Sequence, residues 1–172
     1  MSVAGGAKLV HSVRMMLEQN PEFICVKLDF KKAFNEVFRA RVVEALEEED
    51  SLRHLASHAA SLLAPASALE SKGFIWGESH EGTTQGDPES GPYFCVAIHK
   101  YVRNVDKELA DVGGCARFGW DDGYLLGPSD AVFSSLEKFS TEVEYHCGLQ
   151  LQRSKTEVFS NDGSLPKTLQ QD

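Results

Sequence analysis

The chain has 172 residues, with 17 basic and 26 acidic side chains and a formal net charge of −9 at pH 7. With 42% hydrophobic and 25% charged residues, its composition is typical of one globular domain and disfavours intrinsic disorder. It has no apolar run of the roughly 18 residues that cross a bilayer, no signal-peptide pattern, and no closely spaced cysteine pair. We therefore expect an intracellular protein with reduced thiols and no membrane partner.

The first elements follow from hydrophobic spacing. Apolar residues at helical intervals predict a helix that ends at Asn20-Pro21. A strand over residues 24–29 comes next, and its alternation places Lys27 and Asp29 together on the face opposite Ile24, Val26 and Leu28. Two more helices are predicted from Phe38 to about Leu46 and from Leu52 to about Leu62.

The second half of the chain alternates hairpins with long helices. Residues 66–80 predict a projecting hairpin, and an aperiodic loop over 81–88 precedes a long helix from Pro92 to Leu109. A hairpin with Asp121 and Asp122 at its tip follows, then a helix that closes near Gly148 and a short strand at 156–159. This order predicts an α+β fold, a split βαβ (ferredoxin-like) antiparallel sheet with helices on one face and the other face free for a ligand.

The two central strands of such a sheet would bring Asp29 close to Asp121 and Asp122. Converging carboxylates repel one another unless a cation lies between them, and oxygen ligands of this kind suit magnesium. Because Asp and Gly also favour hairpin tips, the Asp-Asp-Gly sequence is equally explained as ordinary turn chemistry.

Three further segments lie in order around this hairpin: residues 26–34 (VKLDFKKAF), residues 85–88 (QGDP) and residues 148–156 (GLQLQRSKT). Together with the Asp-Asp hairpin, they resemble the palm domain of reverse transcriptases, most closely those of non-LTR retrotransposons. The resemblance implies a polymerase palm over residues 1–160 and a polar tail at 161–172. Part of the fingers would lie at the N-terminal end and in the 66–80 hairpin.

The resemblance also implies an RNA-directed DNA polymerase that transfers dNTPs to a primer 3′-hydroxyl by two-metal nucleotidyl transfer. Asp29 and Asp121 would hold two Mg²⁺ ions, for which Mn²⁺ could substitute. The backbone carbonyl of Phe30 would assist, and Asp122 would have an accessory role.

Four other residues are given roles by the same resemblance. Phe34 would act as a steric gate against the sugar 2′-hydroxyl, Gln85 and Gly86 would line the nucleotide and template, and Lys155 would lie near the departing pyrophosphate. The ordinary structural alternatives are a core aromatic for Phe34, a helix start at Asp87-Pro88 and a solvated surface lysine for Lys155.

The implied partners are an RNA or DNA template with its primer, dNTPs, and the missing fingers and thumb regions of a larger polyprotein. Gly119 and Trp120 replace the usual residues before the aspartates, so the alternative is a catalytically inactive, retrotransposon-derived palm remnant that acts as a folded binding module. An RNA-dependent RNA polymerase would place a carboxylate where this chain has Phe34, which disfavours that third interpretation.

Overall fold

The computed structural model describes residues 5–71, 73–83 and 87–161. In these ranges the helices are α1 Gly5–Gln19, α2 Ala33–Glu36, α3 Arg39–Glu48, α4 Ala56–Leu63, α5 Ser90–Ala110 and α6 Ser129–Cys147. The strands are β1 Phe23–Leu28, β2 Ser67–Ser71, β3 Phe74–Ser79, β4 Cys115–Gly119, β5 Asp122–Pro128 and β6 Glu157–Ser160. Short 3₁₀ turns lie at Arg53–Leu55 and Arg153–Lys155.

The described residues divide into two compact units. The sheet unit comprises residues 5–31, 101–142 and 150–161, and the helical unit comprises the described residues of 32–100 together with 143–149. Helices α5 and α6 therefore each contribute residues to both units.

The sheet unit is built on four antiparallel strands in the order β4-β5-β1-β6. This is the strand order of a split βαβ fold, in which β1 lies between two strands that come much later in the chain. The predicted α+β fold and its antiparallel sheet are therefore confirmed. Strands β5 and β1 are each paired on both sides, which makes them the most constrained elements of the sheet.

The two faces of the sheet differ in chemistry because side chains alternate along each strand. Val26 and Leu28 are fully buried on one face, where the ring of Phe139 from α6 lies 5.5 Å from that of Phe118 in β4. On the opposite face, Cys25, Cys115 and Leu126 form a cluster. Three residues of α1 pack against this cluster: Val13, Met16 and Leu17.

Helix α1 therefore covers part of the face that the sequence predicted to be free for a ligand. The covered part includes the apolar Cys25 cluster and extends toward the aspartate hairpin, where a Cβ atom on Gly119 would lie 3.6 Å from Leu9 of α1. Lys27 and Asp29 follow Cys25 at alternate positions on the same face and carry charge.

The helical unit is organised around a buried arginine. Arg41 in α3 is only 5% exposed, and its guanidinium donates hydrogen bonds of 3.0 and 3.1 Å to the two carboxylate oxygens of Glu48. Lys100 of α5 lies 3.5 Å from the same carboxylate. The hydrogen bonds from Arg41 lower the pKa of Glu48. Because Arg41 and Glu48 lie near opposite ends of α3, the charged pair joins these two ends.

The hairpin predicted at residues 66–80 is formed by β2 and β3. Phe74 and Ile75 are about 70% exposed at its turn end, as expected for a hairpin that projects from the helices. Its assignment to the polymerase fingers stays a prediction. Among the described residues, no helix combines the length and the apolar character that a membrane span requires.

The helix ends agree with the glycine and capping signals in the sequence. The Asp87 carboxylate accepts a hydrogen bond of 3.0 Å from the backbone amide of Glu89, which places a cap just before α5 begins at Ser90. Helix α6 ends at Cys147, and the following Gly148 has φ of +72°. This left-handed conformation costs glycine little, which is why the helix stops there.

Candidate functional site

The end of strand β1 places Asp29 beside the aspartate hairpin. Leu28 is the register partner of Gly123 in β5, and Lys27 is the partner of Tyr124. Continuing this antiparallel register by one residue brings Asp29 opposite Asp122. Asp29 directly follows β1 and Asp122 begins β5, so the two residues lie at the same end of the sheet.

A backbone hydrogen bond holds Lys155 close to Asp29. The amide of Gln152 donates a hydrogen bond of 2.8 Å to the carbonyl oxygen of Asp29. The 3₁₀ turn Arg153–Lys155 begins directly after Gln152 and brings the lysine side chain back toward the strand. Lys155 Nζ lies 3.2 Å from Asp29 Oδ2, so the two predicted site residues form an ion pair.

The ion pair does not satisfy the hydrogen-bonding capacity of Asp29. Oδ2 is inaccessible to solvent and has no hydrogen-bond donor among the described residues. The ammonium of Lys155 is close enough for charge attraction but lies outside hydrogen-bonding geometry. A buried carboxylate oxygen without a donor is costly in an apolar environment and is a good ligand for a cation.

The aspartate hairpin turns one residue earlier than the sequence predicted. Gly119 is paired with Asp122, so the turn consists of Trp120 and Asp121, and Asp122 is the first residue of β5. Trp120 has φ of +63°, a left-handed conformation that is unfavourable for a bulky side chain. The turn leaves Asp121 half-buried.

The second aspartate of the hairpin also has a lysine partner. Lys27 Nζ lies 3.8 Å from Asp122 Oδ1. The sheet thus presents two carboxylates, Asp29 and Asp122, each next to an ammonium group from a different segment. The alternating signs reduce the mutual repulsion of the acids.

The residues at this end of the sheet fit a hard divalent cation in their chemistry. Carboxylate oxygens are the ligands that Mg²⁺ prefers, and Asp29 Oδ2 lacks a hydrogen-bond donor. Within residues 5–71, 73–83 and 87–161, no three His, Cys, Asp or Glu side chains are grouped closely enough to hold a metal ion. The magnesium site is therefore a proposal, in which a cation at Asp29 would take the place of the Lys155 ammonium group.

Phe30 is held in place directly beside Asp29. It forms an antiparallel bridge with Leu151, and its buried ring lies 6.2 Å from that of Phe139. The amide of Lys31 donates to the carbonyl of Gln150 on the other side of the bridge. These contacts anchor the backbone that follows Asp29, and the metal-ligand role of the Phe30 carbonyl stays a prediction.

Among the other predicted site residues, Phe34 is described and belongs to the helical unit. Phe34 in α2 is partly buried, and its ring lies 5.2 Å from that of Phe94 in α5. This contact agrees with the alternative of a core aromatic, and the steric-gate role stays a prediction. Gln85 and Gly86 lie outside the described residues, whereas the capping role that the alternative gave to Asp87 is observed.

Two residues of the site were not recognised in the sequence. Lys27 was placed on the face of Asp29 by strand alternation, but its pairing with Asp122 depends on the β1–β5 register. Gln152 holds Asp29 through its backbone amide. Since every residue other than proline carries this amide, no sequence pattern could have indicated the contact.

Comparison with known proteins identifies the fold and the family. No protein-family profile matches the sequence. The apo telomerase of Candida tropicalis superimposes with a TM-score of 0.69 at 14% identity, over 94% of this chain and 33% of the telomerase chain. The telomerase of Candida albicans, solved with a fragment of telomeric RNA, gives a TM-score of 0.65 at 16% identity, over 96% of this chain and 31% of that one. The fold is thus that of the telomerase reverse transcriptases.

The sequence relationship lies with retrotransposons. The Retrovirus-related Pol polyprotein from type-1 retrotransposable element R2 of Bradysia coprophila is 30% identical over 141 residues, which is 77% of this chain and 16% of the polyprotein. The chain is a reverse transcriptase-like domain. It spans about one sixth of the length of the curated relative that it matches.

Proposed function

We propose that the chain is the palm portion of an RNA-directed DNA polymerase, which joins deoxynucleotides to the 3′-hydroxyl of a primer. The observation that carries this proposal is the Asp29–Lys155 ion pair at the end of β1, next to the Asp121-Asp122 hairpin. The ion pair joins the first and the last of the sequence motifs, and the β1–β5 register lays the aspartate hairpin at the same end of the sheet.

Each residue of the site has a separate role in this proposal. Asp29 and Asp121 would bind two Mg²⁺ ions, and the Phe30 carbonyl and Asp122 would assist. Bound magnesium would lower the pKa of the primer hydroxyl and stabilise negative charge on the triphosphate. Lys155 is 69% exposed at the tip of its turn, so its ammonium is free to move toward the leaving pyrophosphate.

Three further residues would contact the nucleotide or the template in this proposal. Phe34 would exclude the 2′-hydroxyl of a ribonucleotide, and Gln85 and Gly86 would line the nucleotide and template. In a primer-extension reaction, we expect Phe34→Ala to increase ribonucleotide incorporation relative to deoxynucleotide incorporation. Unchanged discrimination between the two sugars would show that Phe34 is not the gate.

The template, the primer and the other polymerase regions would be partners of the chain. With a net charge of −9, the chain by itself is not suited to binding the phosphates of nucleic acid. We propose that basic surfaces of fingers and thumb regions in a larger polyprotein supply this binding. The relationship to the R2 polyprotein, of which the chain spans 16%, supports this arrangement.

Primer extension with Mg²⁺ tests the function. Two proteins are assayed on RNA and DNA templates. One is the chain alone, and the other is an R2 polyprotein in which the chain replaces the matching segment. We expect Asp121→Ala to reduce incorporation by at least 10²-fold, since it removes a group that acts on the reacting atoms. Asp111→Ala, which removes an exposed acid after α5, is the matched control and should leave incorporation unchanged.

The second candidate function is a catalytically inactive binding module. It is favoured by Trp120, a bulky residue with φ of +63° directly before Asp121. The same assay separates the two candidates, because a module of this kind would give no incorporation in either context on any template.

A further inference from the structure

We propose that Lys27 is a positioning residue of this site, a fixed internal counter-cation that holds Asp122 and weakens the binding of divalent cations. The inference rests on the proposed polymerase function and extends it to a motif residue to which the resemblance assigned no role. In this arrangement Asp29 and Asp121 are the carboxylates left for metal ions.

The first observation is that Lys27 is held by the sheet on both sides. It lies in β1, with Tyr124 of β5 and Glu157 of β6 as its register partners. Its side chain is 34% exposed, about half the value for Lys155. A lysine in the central strand has its Cα fixed by hydrogen bonds to two neighbours, whereas the Cα of Lys155 lies in an exposed turn.

The second observation is the distribution of charge around this lysine. Lys27 Nζ lies 3.8 Å from Asp122 Oδ1, and strand alternation places Glu157 directly across from it on the same face. Opposite charges at facing strand positions stabilise each other by a few tenths of a kcal/mol or more. Lys27 is therefore surrounded by carboxylates from both neighbouring strands.

The third observation is that the two lysines of the site, Lys155 and Lys27, differ in exposure and in the element that carries them. Lys155 lies in a 3₁₀ turn and is 69% exposed, so it can leave Asp29 when a cation arrives. Lys27 stays in the strand and keeps its positive charge near the incoming cation. Its repulsion lowers metal affinity, since like charges several ångströms apart interact appreciably near a protein surface.

Direct Mn²⁺ binding, measured from the electron paramagnetic resonance signal of the free ion, tests the proposal on the whole chain at low ionic strength. We expect Lys27→Met to bind Mn²⁺ about 3- to 10-fold more tightly than the unaltered chain. Lys27→Arg, which keeps the charge, should stay within about twofold. Lys138→Met is the control, because it changes the net charge by the same amount. It does so at a lysine that pairs with Glu108, between helices α6 and α5.

A second measurement tests the pairing with Asp122. In EDTA at low salt, we expect Lys27→Met to lower the melting temperature by a few degrees, because Asp122 and Glu157 lose their counter-cation. Adding Asp122→Asn to Lys27→Met should recover much of this loss. If Lys27→Met does not fold, Lys27→Gln replaces it in both measurements.

The outcomes distinguish this inference from the proposed function. If Lys27→Met and the unaltered chain bind Mn²⁺ equally, or if Asp122→Asn recovers no stability, the role of Lys27 is wrong while primer extension can still succeed. If no variant binds Mn²⁺, both the role of Lys27 and the metal site are wrong. A third outcome is that Asp121→Ala loses incorporation while Lys27→Met binds Mn²⁺ as the unaltered chain does. This outcome would overturn only the role of Lys27 and would leave the proposed function in place.

Discussion

The backbone amide of Gln152 donates a hydrogen bond of 2.8 Å to the carbonyl oxygen of Asp29. This bond joins two segments that are 123 positions apart in sequence, and it fixes where the 3₁₀ turn carrying Lys155 begins. The ion pair between Lys155 and Asp29 is a consequence of this backbone contact.

We expect Gln152→Pro to destabilise the protein by about 1–2 kcal/mol, because proline has no amide to donate. The φ of Gln152 is −83°, which a proline can adopt closely enough for the backbone itself to be tolerated. Urea unfolding measures the effect. Gln152→Ala keeps the amide and serves as the control, and equal stabilities of the two variants would show that the bond contributes nothing.

The turn at Trp120 predicts an unusual order of stability among variants substituted at this position. Because φ is +63° at this position, glycine is favoured over any residue with a Cβ atom. We therefore expect Trp120→Gly to be more stable than Trp120→Ala by roughly 1 kcal/mol in urea unfolding. The comparison removes the indole in both variants, so an advantage for alanine would contradict the left-handed conformation.

The Arg41–Glu48 pair predicts a pH-dependent contribution to stability. Hydrogen bonds from Arg41 lower the pKa of Glu48 below its ordinary value of 4.5 in the folded protein. A lowered pKa means that the contribution is complete above the ordinary value and is lost as pH falls through the folded value.

We accordingly expect Glu48→Gln to reduce the free energy of unfolding by at most about 1 kcal/mol at pH 7, because solvent screens the half-exposed carboxylate. This difference from the unaltered chain should shrink as pH falls below 4.5. Glu22→Gln, at an exposed position, is the control. A difference for Glu48→Gln that stays constant down to about pH 3 would exclude the charged pair as its cause.

The four cysteines should differ in reactivity. Cys25, Cys115 and Cys147 are buried, and burial raises the pKa of the Cys25 and Cys147 thiols to about 12 and also raises that of Cys115. Cys95 is exposed. Because the thiolate is the reactive form, we expect iodoacetamide at pH 8 to label Cys95 first in the folded chain. Rapid labelling of Cys25 in the folded protein would contradict its burial, and unfolding in urea should make all four reactive.

Much of the fold could be predicted because it depends on local patterns. The alternation in residues 24–29 gave β1 and the shared face of Lys27 and Asp29, and Gly148 marked the end of α6. The motif residues Asp29, Asp121, Asp122 and Lys155 were identified through the resemblance to reverse transcriptases. The structure places Asp29 and Asp122 at one end of the sheet and Lys155 in contact with Asp29.

Periodicity and glycine signals in the sequence determined the elements, the split βαβ order and the acids at the strand end, because each depends on neighbouring residues. Only the tertiary structure decided the partners: Lys27 with Asp122, Gln152 with Asp29, and α1 with the Cys25 cluster. It also decided that the turn lies at Trp120-Asp121. The physical reason is that register and long-range contacts are fixed by the packing of distant strands and helices, and a single residue of shift in register exchanges the two faces of a strand.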